Sequence, residues 1–321
     1  MLTTESLALQ GGEEVRLTEE MTEKLSLQAR DAEKLKSVLG VNNVNFGKVS
    51  VNLNGDLNDE ELVEKAKKVE KAGVKIVWIG DFDFDPFRTA EIIAENTDLL
   101  IGFGVLSASK RDCGEIIEKV EELEERFGKR FVVGIGAGQF RDAKDAIHRV
   151  LNCLKMLKPR MVFAGCSSPK ITRMASEIAD GILINYVDPK LVEGLASLTK
   201  GIKVSYGPCL ILPSEFEEDL VLASAIVLKG VEKRFGIRIE ENLEKLVEMR
   251  RKGISIRNSE IFKLKDFLLE KFAIAGDVDL VVLKIRKLLA ICDHVVLSDP
   301  FFRDEKSLKM FSYLLRACEK F

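Results

Sequence analysis

Three aspartates in GDFDFDPF, Asp81, Asp83 and Asp85, are the first residues in this chain that could do chemistry. They directly follow an apolar run at 74–79, and on an extended backbone their alternation with phenylalanine would set all three carboxylates on one side. Such a trio can offer carboxylates to a divalent cation. A calcium-binding helix–loop–helix is excluded, because its sixth and twelfth positions fall on Pro86 and Ile92, where Gly and Glu are needed. The default is a solvated loop in which Asp81, nearest the strand end, is the acid–base candidate. A second feature is the turn Gly165, Cys166, Ser167, Ser168 ahead of Pro169. Free backbone N–H groups at a strand's carboxyl end and a helix start suit a phosphate or another anion. An ordinary loop with Ser167 or Ser168 capping the helix is the plainer alternative. Cys166 near that helix start can have a lowered pKa, but no general base accompanies it, so it is not read as a nucleophile.

Glycine marks two further stretches. Gly102 and Gly104 interrupt the apolar run IGFGV, as a bulge or a close ligand approach requires. GIGAG at 134–138 lacks the third glycine of a dinucleotide fingerprint, since position 139 is Gln139, and reads as a tight turn. His148 and His294 fall on a helix and a strand start and read as structural. The six cysteines are scattered, with no C-x-x-C and no histidine at ligand spacing, which argues against both a zinc site and a disulfide framework.

The elements that must position these residues are legible from periodicity. Apolar positions Met21, Leu25, Ala32, Leu35 and Leu39 predict an amphipathic helix before a stop at Gly40. Strands are predicted at 48–53, 74–79, 99–105, 131–135, 161–164, 182–184, 202–206 and 294–297, alternating with helices. A helical segment at 214–269, broken near Gly230, Gly236 and Gly253, separates the last two strands. Eight such units make an α/β fold of the (β/α)8 TIM-barrel type, with an N-terminal extension over 1–46 and the barrel over 47–321.

Lys+Arg number 49 against Asp+Glu 52, so charge gives no reason to expect nucleic-acid or membrane partners. The longest apolar run, 220–228, is far too short to cross a bilayer, and the acidic N-terminus is unlike a signal peptide. A cytoplasmic location is expected. The 31% charged fraction with few glutamines points toward a thermophilic source.

Several stretches in order, AKKVEKAGVKIVWIGD, IGFGV, FVVGIGAG, FAGCSSPKITRMASEIADGILIN and FAIAGDVDLVVLKIRKLLAICDHVVLSDP, resemble the bacterial-luciferase-like superfamily. They are similar in particular to its coenzyme F420-dependent branch, which includes methylenetetrahydromethanopterin reductase. The resemblance implies a luciferase-like barrel from an archaeal source. It also implies F420, or alternatively FMN, at the carboxyl end, passing hydride to a small or pterin-like carbon substrate. A strand-three bulge with an unusual cis peptide maps onto Gly104 and Val105, the acid after strand two onto Asp81, and the cofactor-tail turn onto Gly165, Cys166, Ser167 and Ser168. A homodimer is implied, and separately no metal site is expected. Asp81 is followed by Phe82 where the family has histidine, and Phe82, Phe84 and Phe87 could occupy cofactor space. That leaves a second reading, a cofactor-free barrel serving as a binding or assembly protein.

Overall fold

The computed structural model describes residues 46–138 and 142–319. The amphipathic helix expected within the N-terminal extension lies outside the described residues. The strands are β1 (Val49–Asn52), β2 (Ile76–Ile79), β3 (Leu100–Ser107), β4 (Phe131–Gly136), β5 (Val162–Cys166), β6 (Gly181–Ile184), β7 (Ile202–Ile211), β8 (Ile274–Gly276) and β9 (His294–Ser298). Strands β1 to β7 pair in sequence, all parallel, and β9 closes the ring between β7 and β1. This is a (β/α)8 barrel.

Period-two alternation sorts each strand between two apolar clusters. Val77, Ile79, Ile101 and Phe103 join the outer core with the helices, whereas Ile76, Trp78, Phe163, Leu183, Val204 and Val296 fill the barrel. Each helix packs one stripe outside. In α1 (Asp59–Lys71) the buried residues Leu62, Ala66 and Val69 form that stripe, and the Asn58 side chain caps the first turn. α2 (Pro86–Asn96), α3 (Cys113–Phe127), α4 (Ala143–Leu157), α5 (Pro169–Ala175) and α6 (Pro189–Ala196) follow the next five strands.

The predicted helical insertion between the seventh strand and the last comprises α7 (Glu217–Lys229), α8 (Glu232–Phe235), α9 (Leu243–Arg251), α10 (Glu260–Lys263) and α11 (Lys265–Phe272). Buried Glu218 of α7 anchors it, accepting hydrogen bonds from the Ile256 N–H, the Ser255 hydroxyl and Arg257. The barrel ends with α12 (Val278–Leu289) and α13 (Glu305–Glu319). β7 runs past the predicted end at Tyr206, because Gly207 and Pro208 do not stop it. Pro208, which has no N–H, lies where β7 leaves β9 and takes up the short β8, with Pro208 opposite Ser298 and Cys209 opposite Ile274.

One expectation is overturned by packing. Cys113 at the start of α3 and Cys153 in α4 form a disulfide, and Cys166, Cys209, Cys292 and Cys318 are free and buried. Forty residues separate the pair, so no spacing motif announces it.

His294 is structural. Its Nε2 lies 2.6 Å from Ser50 Oγ and its Nδ1 3.0 Å from the Gly47 carbonyl, so Nδ1–H donates to the carbonyl and Nε2 accepts from the hydroxyl. Burial lowers its pKa from 6.5 to about 4, against the raising effect of the Gly47 carbonyl. A depressed histidine pKa means that the unfolded chain binds the extra proton. Stability is therefore fully present above pH 6.5 and falls as pH drops toward 4, by up to about 3 kcal/mol. Urea unfolding across that window should show the loss, and His294→Gln should flatten it. An unchanged slope in the variant would refute the assignment.

Candidate functional site

Inward alternation brings Trp78, Gly104, Val105, Gly165 and Tyr206 together toward the carboxyl end of the barrel. In β3 the register with β4 shifts between Phe103 and Leu106, and the Gly104–Val105 peptide is cis, where the resemblance places both features. The bulge turns Val105 across the strands beside it. A Cβ on Gly165 would lie 2.8 Å from Val105 Cγ1, and one on Gly136 would collide with Val105 Cγ2. On the other side, a Cβ on Gly102 would strike the Trp78 ring, and one on Gly104 would sit 3.0 Å from Trp78 and 3.2 Å from Tyr206. The glycines of IGFGV and GIGAG thus clear space for Trp78 and Val105. Gly134 and Gly136 belong to β4 itself. Only Gly138, at φ +72°, turns the chain, which corrects the reading of GIGAG as one tight turn.

Gly104, Val105, Gly165, Tyr206 and Ser298 remain partly exposed although their strand neighbours Phe103, Leu106, Ala164, Ser205 and Leu297 are buried. Solvent therefore reaches a hollow at the carboxyl end of the barrel. Beside it, Asn52 donates to Asn54 Oδ1 (3.0 Å) and to the Trp78 carbonyl (3.1 Å). Burial and the nearby Asp299 carboxylate raise the Tyr206 pKa, opposed by a hydrogen bond with Asn52, so the phenol stays protonated. Trp78 is 1% exposed, and its Nε1–H has no hydrogen-bond partner among the described residues.

The three aspartates diverge rather than face one side. Asp81 is 2% exposed at its side chain, and its Oδ2 accepts from the Ser107 N–H at 2.9 Å and Arg111 Nε at 3.3 Å. Its Oδ1 accepts from the Arg111 guanidinium at 3.4 Å. Both oxygens are engaged, so the expected acid–base residue is instead a strut joining the ends of β2 and β3. Asp83 pairs with Arg251 of α9 at 2.8 Å, and Asp85 caps α2 at the Phe87 N–H. Among the described residues no group of three His, Cys, Asp or Glu is placed to hold a metal.

Cys166 also departs from expectation. Its side chain is 2% exposed and packs in the outer core, where burial pushes the thiol up to about 12 despite a bond with Thr172. Ser167 and Ser168 are exposed. Ser168 takes the N-cap position of α5 without a side-chain capping bond, and the Ser167 carbonyl accepts from the Tyr186 hydroxyl at 3.0 Å. Of the three phenylalanines, Phe84 and Phe87 pack with the outer core, Phe87 against Phe103 at 5.3 Å between centroids. Phe82 alone lies toward the mouth, 57% exposed and folded over Gly80.

The residue missed by sequence reading is Asp299, immediately after β9. Arg303 Nε binds its Oδ1 at 2.5 Å while the same guanidinium reaches Asp56 at 2.6 Å. Burial, with Asp56 and Asp219 nearby, raises its pKa to about 6 against the opposing pull of Arg303. The only sequence signal was an acid at a barrel strand's carboxyl end.

Closed parallel topology, the β3 bulge and the insertion before the last barrel strand decide the architecture. The chain folds as a closed (β/α)8 barrel. Its fold matches that of a coenzyme F420-dependent tetrahydromethanopterin reductase from Methanopyrus kandleri, at TM-score 0.64 and 19% identity, over 85% of this chain and 98% of that one. An F420-dependent secondary alcohol dehydrogenase, solved with an F420–acetone adduct, matches at TM-score 0.65 and 12% identity, over 85% and 99%. In sequence, the chain is 25% identical over 167 residues to 5,10-methylenetetrahydromethanopterin reductase of Methanolobus tindarius, 40% of this chain. It spans about half the length of that relative, 51%. No family profile matches the chain. The solved structures share this chain's fold, and the sequence likeness to the reductase is partial. No helix among the described residues is long and apolar enough to cross a membrane.

Proposed function

We propose that this luciferase-like barrel is an F420-dependent oxidoreductase that transfers hydride to or from a small or pterin-like carbon substrate. The observation that carries the reading is the hollow at Gly104, Val105, Gly165 and Tyr206, open to solvent between buried neighbours. The residues present fit a flat heterocycle. Val105 and the Tyr206 ring supply an apolar surface, glycines without Cβ keep it low, and the indole N–H of Trp78 finds no acceptor among the described residues. A bound deazaflavin would supply a carbon that gives or accepts a hydride.

The chain's own residues do the rest. Val105 and Gly104 back the ring, and Asp81, through Ser107 and Arg111, keeps the end of β3 at a fixed height above β2. The main chain of partly exposed Gly165 and the exposed Ser167 and Ser168 serve an anionic tail. A cytoplasmic homodimer goes with this reading.

A second reading, a cofactor-free barrel, is favoured by Phe82, whose exposed ring covers Gly80 at the mouth. Trp78 is the only tryptophan and sits against Gly102 and Gly104, so it reports on the hollow. Titration of the purified protein with F420, and separately with FMN, should change its emission at micromolar concentration or below, with calorimetry as a check. Saturation by F420 supports the first reading, tighter binding of FMN changes the cofactor, and binding of neither in folded protein leaves the second.

A further inference from the structure

Tyr206 lies across the inside of the barrel. β7, which carries it, and β3 stand on opposite sides of the ring, with β4, β5 and β6 between them one way and β2, β1 and β9 the other. The side chain packs against the inner cluster, and its Cε2, the ring atom next to the phenol carbon, comes 3.2 Å from the Cβ position of Gly104. The tip of the side chain, not its root, therefore reaches β3. Trp78 of β2 borders the same position at 3.0 Å, and the hydroxyl hydrogen-bonds with Asn52 of β1. Tyr206 is partly exposed there. Trp78 Nε1 and Arg130 Nε are sealed without a partner among the described residues, and the Tyr206 oxygen is not with them. The direction of the bond to Asn52 is fixed. Asn52 is 2% exposed and spends its amide hydrogens on Asn54 Oδ1 at 3.0 Å and the Trp78 carbonyl at 3.1 Å. A carbonyl only accepts, so the nitrogen of Asn52 must face Trp78, and Oδ1 is what is left for the phenol. Tyr206 donates to Asn52 Oδ1, and its own oxygen keeps lone pairs free. Turning the proton toward a ligand would strand a buried amide oxygen. Toward a ligand, Tyr206 is an acceptor.

We propose that Tyr206 is a specificity-determining residue that accepts a hydrogen bond from the imide N–H of the bound ring, a role that rests on the cofactor reading above. Oxidised deazaflavin and flavin rings alike carry one ring N–H, in an imide between two carbonyls, and it stays protonated at neutral pH. A ring edge made only of carbonyl or methyl groups meets an oxygen whose proton is already committed to Asn52, and such an edge is disfavoured. The acceptor stands beside Gly104, whereas the exposed turn at Ser167 and Ser168 follows Gly165, on the far side of Val105. The two ends of a bound ring are thereby told apart. Asn52 is a positioning residue that acts by holding the Tyr206 proton.

The test titrates the full chain with 8-hydroxy-5-deazariboflavin, the tail-less ring of F420, and with its imide N-methyl form. FMN and imide N-methyl FMN make the flavin arm. By calorimetry and ring fluorescence, the wild type should bind the N–H ring about tenfold more tightly than the methylated one. Tyr206→Phe should bring the two close to parity by weakening the N–H ring alone. The arm that carries the preference identifies the ring as deazaflavin or flavin. Asn52→Ala, which leaves the phenol in place but releases its proton, should narrow the preference, with far-UV circular dichroism as the control for folding of both variants. A role confined to packing would weaken both forms equally, so an unchanged ratio in the folded variants overturns the proposal. Failure of the folded wild type to bind F420 and all four probes overturns the cofactor reading instead, so the two failures are distinguishable.

Discussion

Gly104→Leu should abolish F420 binding while leaving the barrel folded. A Cβ at position 104 would already lie 3.0 Å from Trp78 and 3.2 Å from Tyr206, so it fits only if both rings yield by a few tenths of an ångström. With both rings this close, the added leucine side chain would compete for the surface assigned to the cofactor ring. The expected loss in affinity is at least about a thousandfold, or about 4 kcal/mol. Calorimetric titration measures it, with far-UV circular dichroism and the urea midpoint as controls for folding. Gly128, with nothing within 4 Å of its Cβ position but a φ of +78°, is a useful comparison, because Gly128→Ala should cost stability without touching binding. Retention of binding by Gly104→Leu would remove the hollow as the cofactor site.

The disulfide gives the second large effect. Closing a loop of forty residues removes conformational freedom from the unfolded chain, worth about 4 kcal/mol on the chain-entropy account. The double variant Cys113→Ser/Cys153→Ser should unfold at correspondingly lower urea than the oxidised protein, and the wild type under reductant should match the variant. Thiol titration of the denatured, unreduced chain should find the four free cysteines out of six. Six reactive thiols, or identical unfolding with and without reductant, would refute the bond. F420 binding should survive the substitution, because α3 and α4 lie outside the barrel wall.

The glycines of IGFGV and GIGAG were visible in the sequence, because glycine inside an apolar strand is costly and demands a reason. The reason was not visible. Gly102 makes room for Trp78 from the neighbouring strand, while Gly136 and Gly165 make room for Val105. Those partners are brought together only by barrel closure.

Short-range order determined most of the architecture. Runs of Val, Ile and Leu buried on both faces, alternating with capped amphipathic helices, specify parallel strands and outer helices through hydrophobic periodicity alone. Hence the eight barrel strands, the insertion and its glycine breaks were readable, whereas β8, three residues paired with the far end of β7, carried too little pattern. Tertiary structure decided the chemistry. It paired Cys113 with Cys153, moved the Cys166 thiol to the outer side of the wall, and spent both oxygens of Asp81 on Ser107 and Arg111. It also gathered Asp56, Asp219 and Arg303 around the partly exposed Asp299, with Arg303 clamping one of its oxygens. A carboxylate's role depends on how much water and which charges surround it, and those neighbours come from segments far apart in the chain.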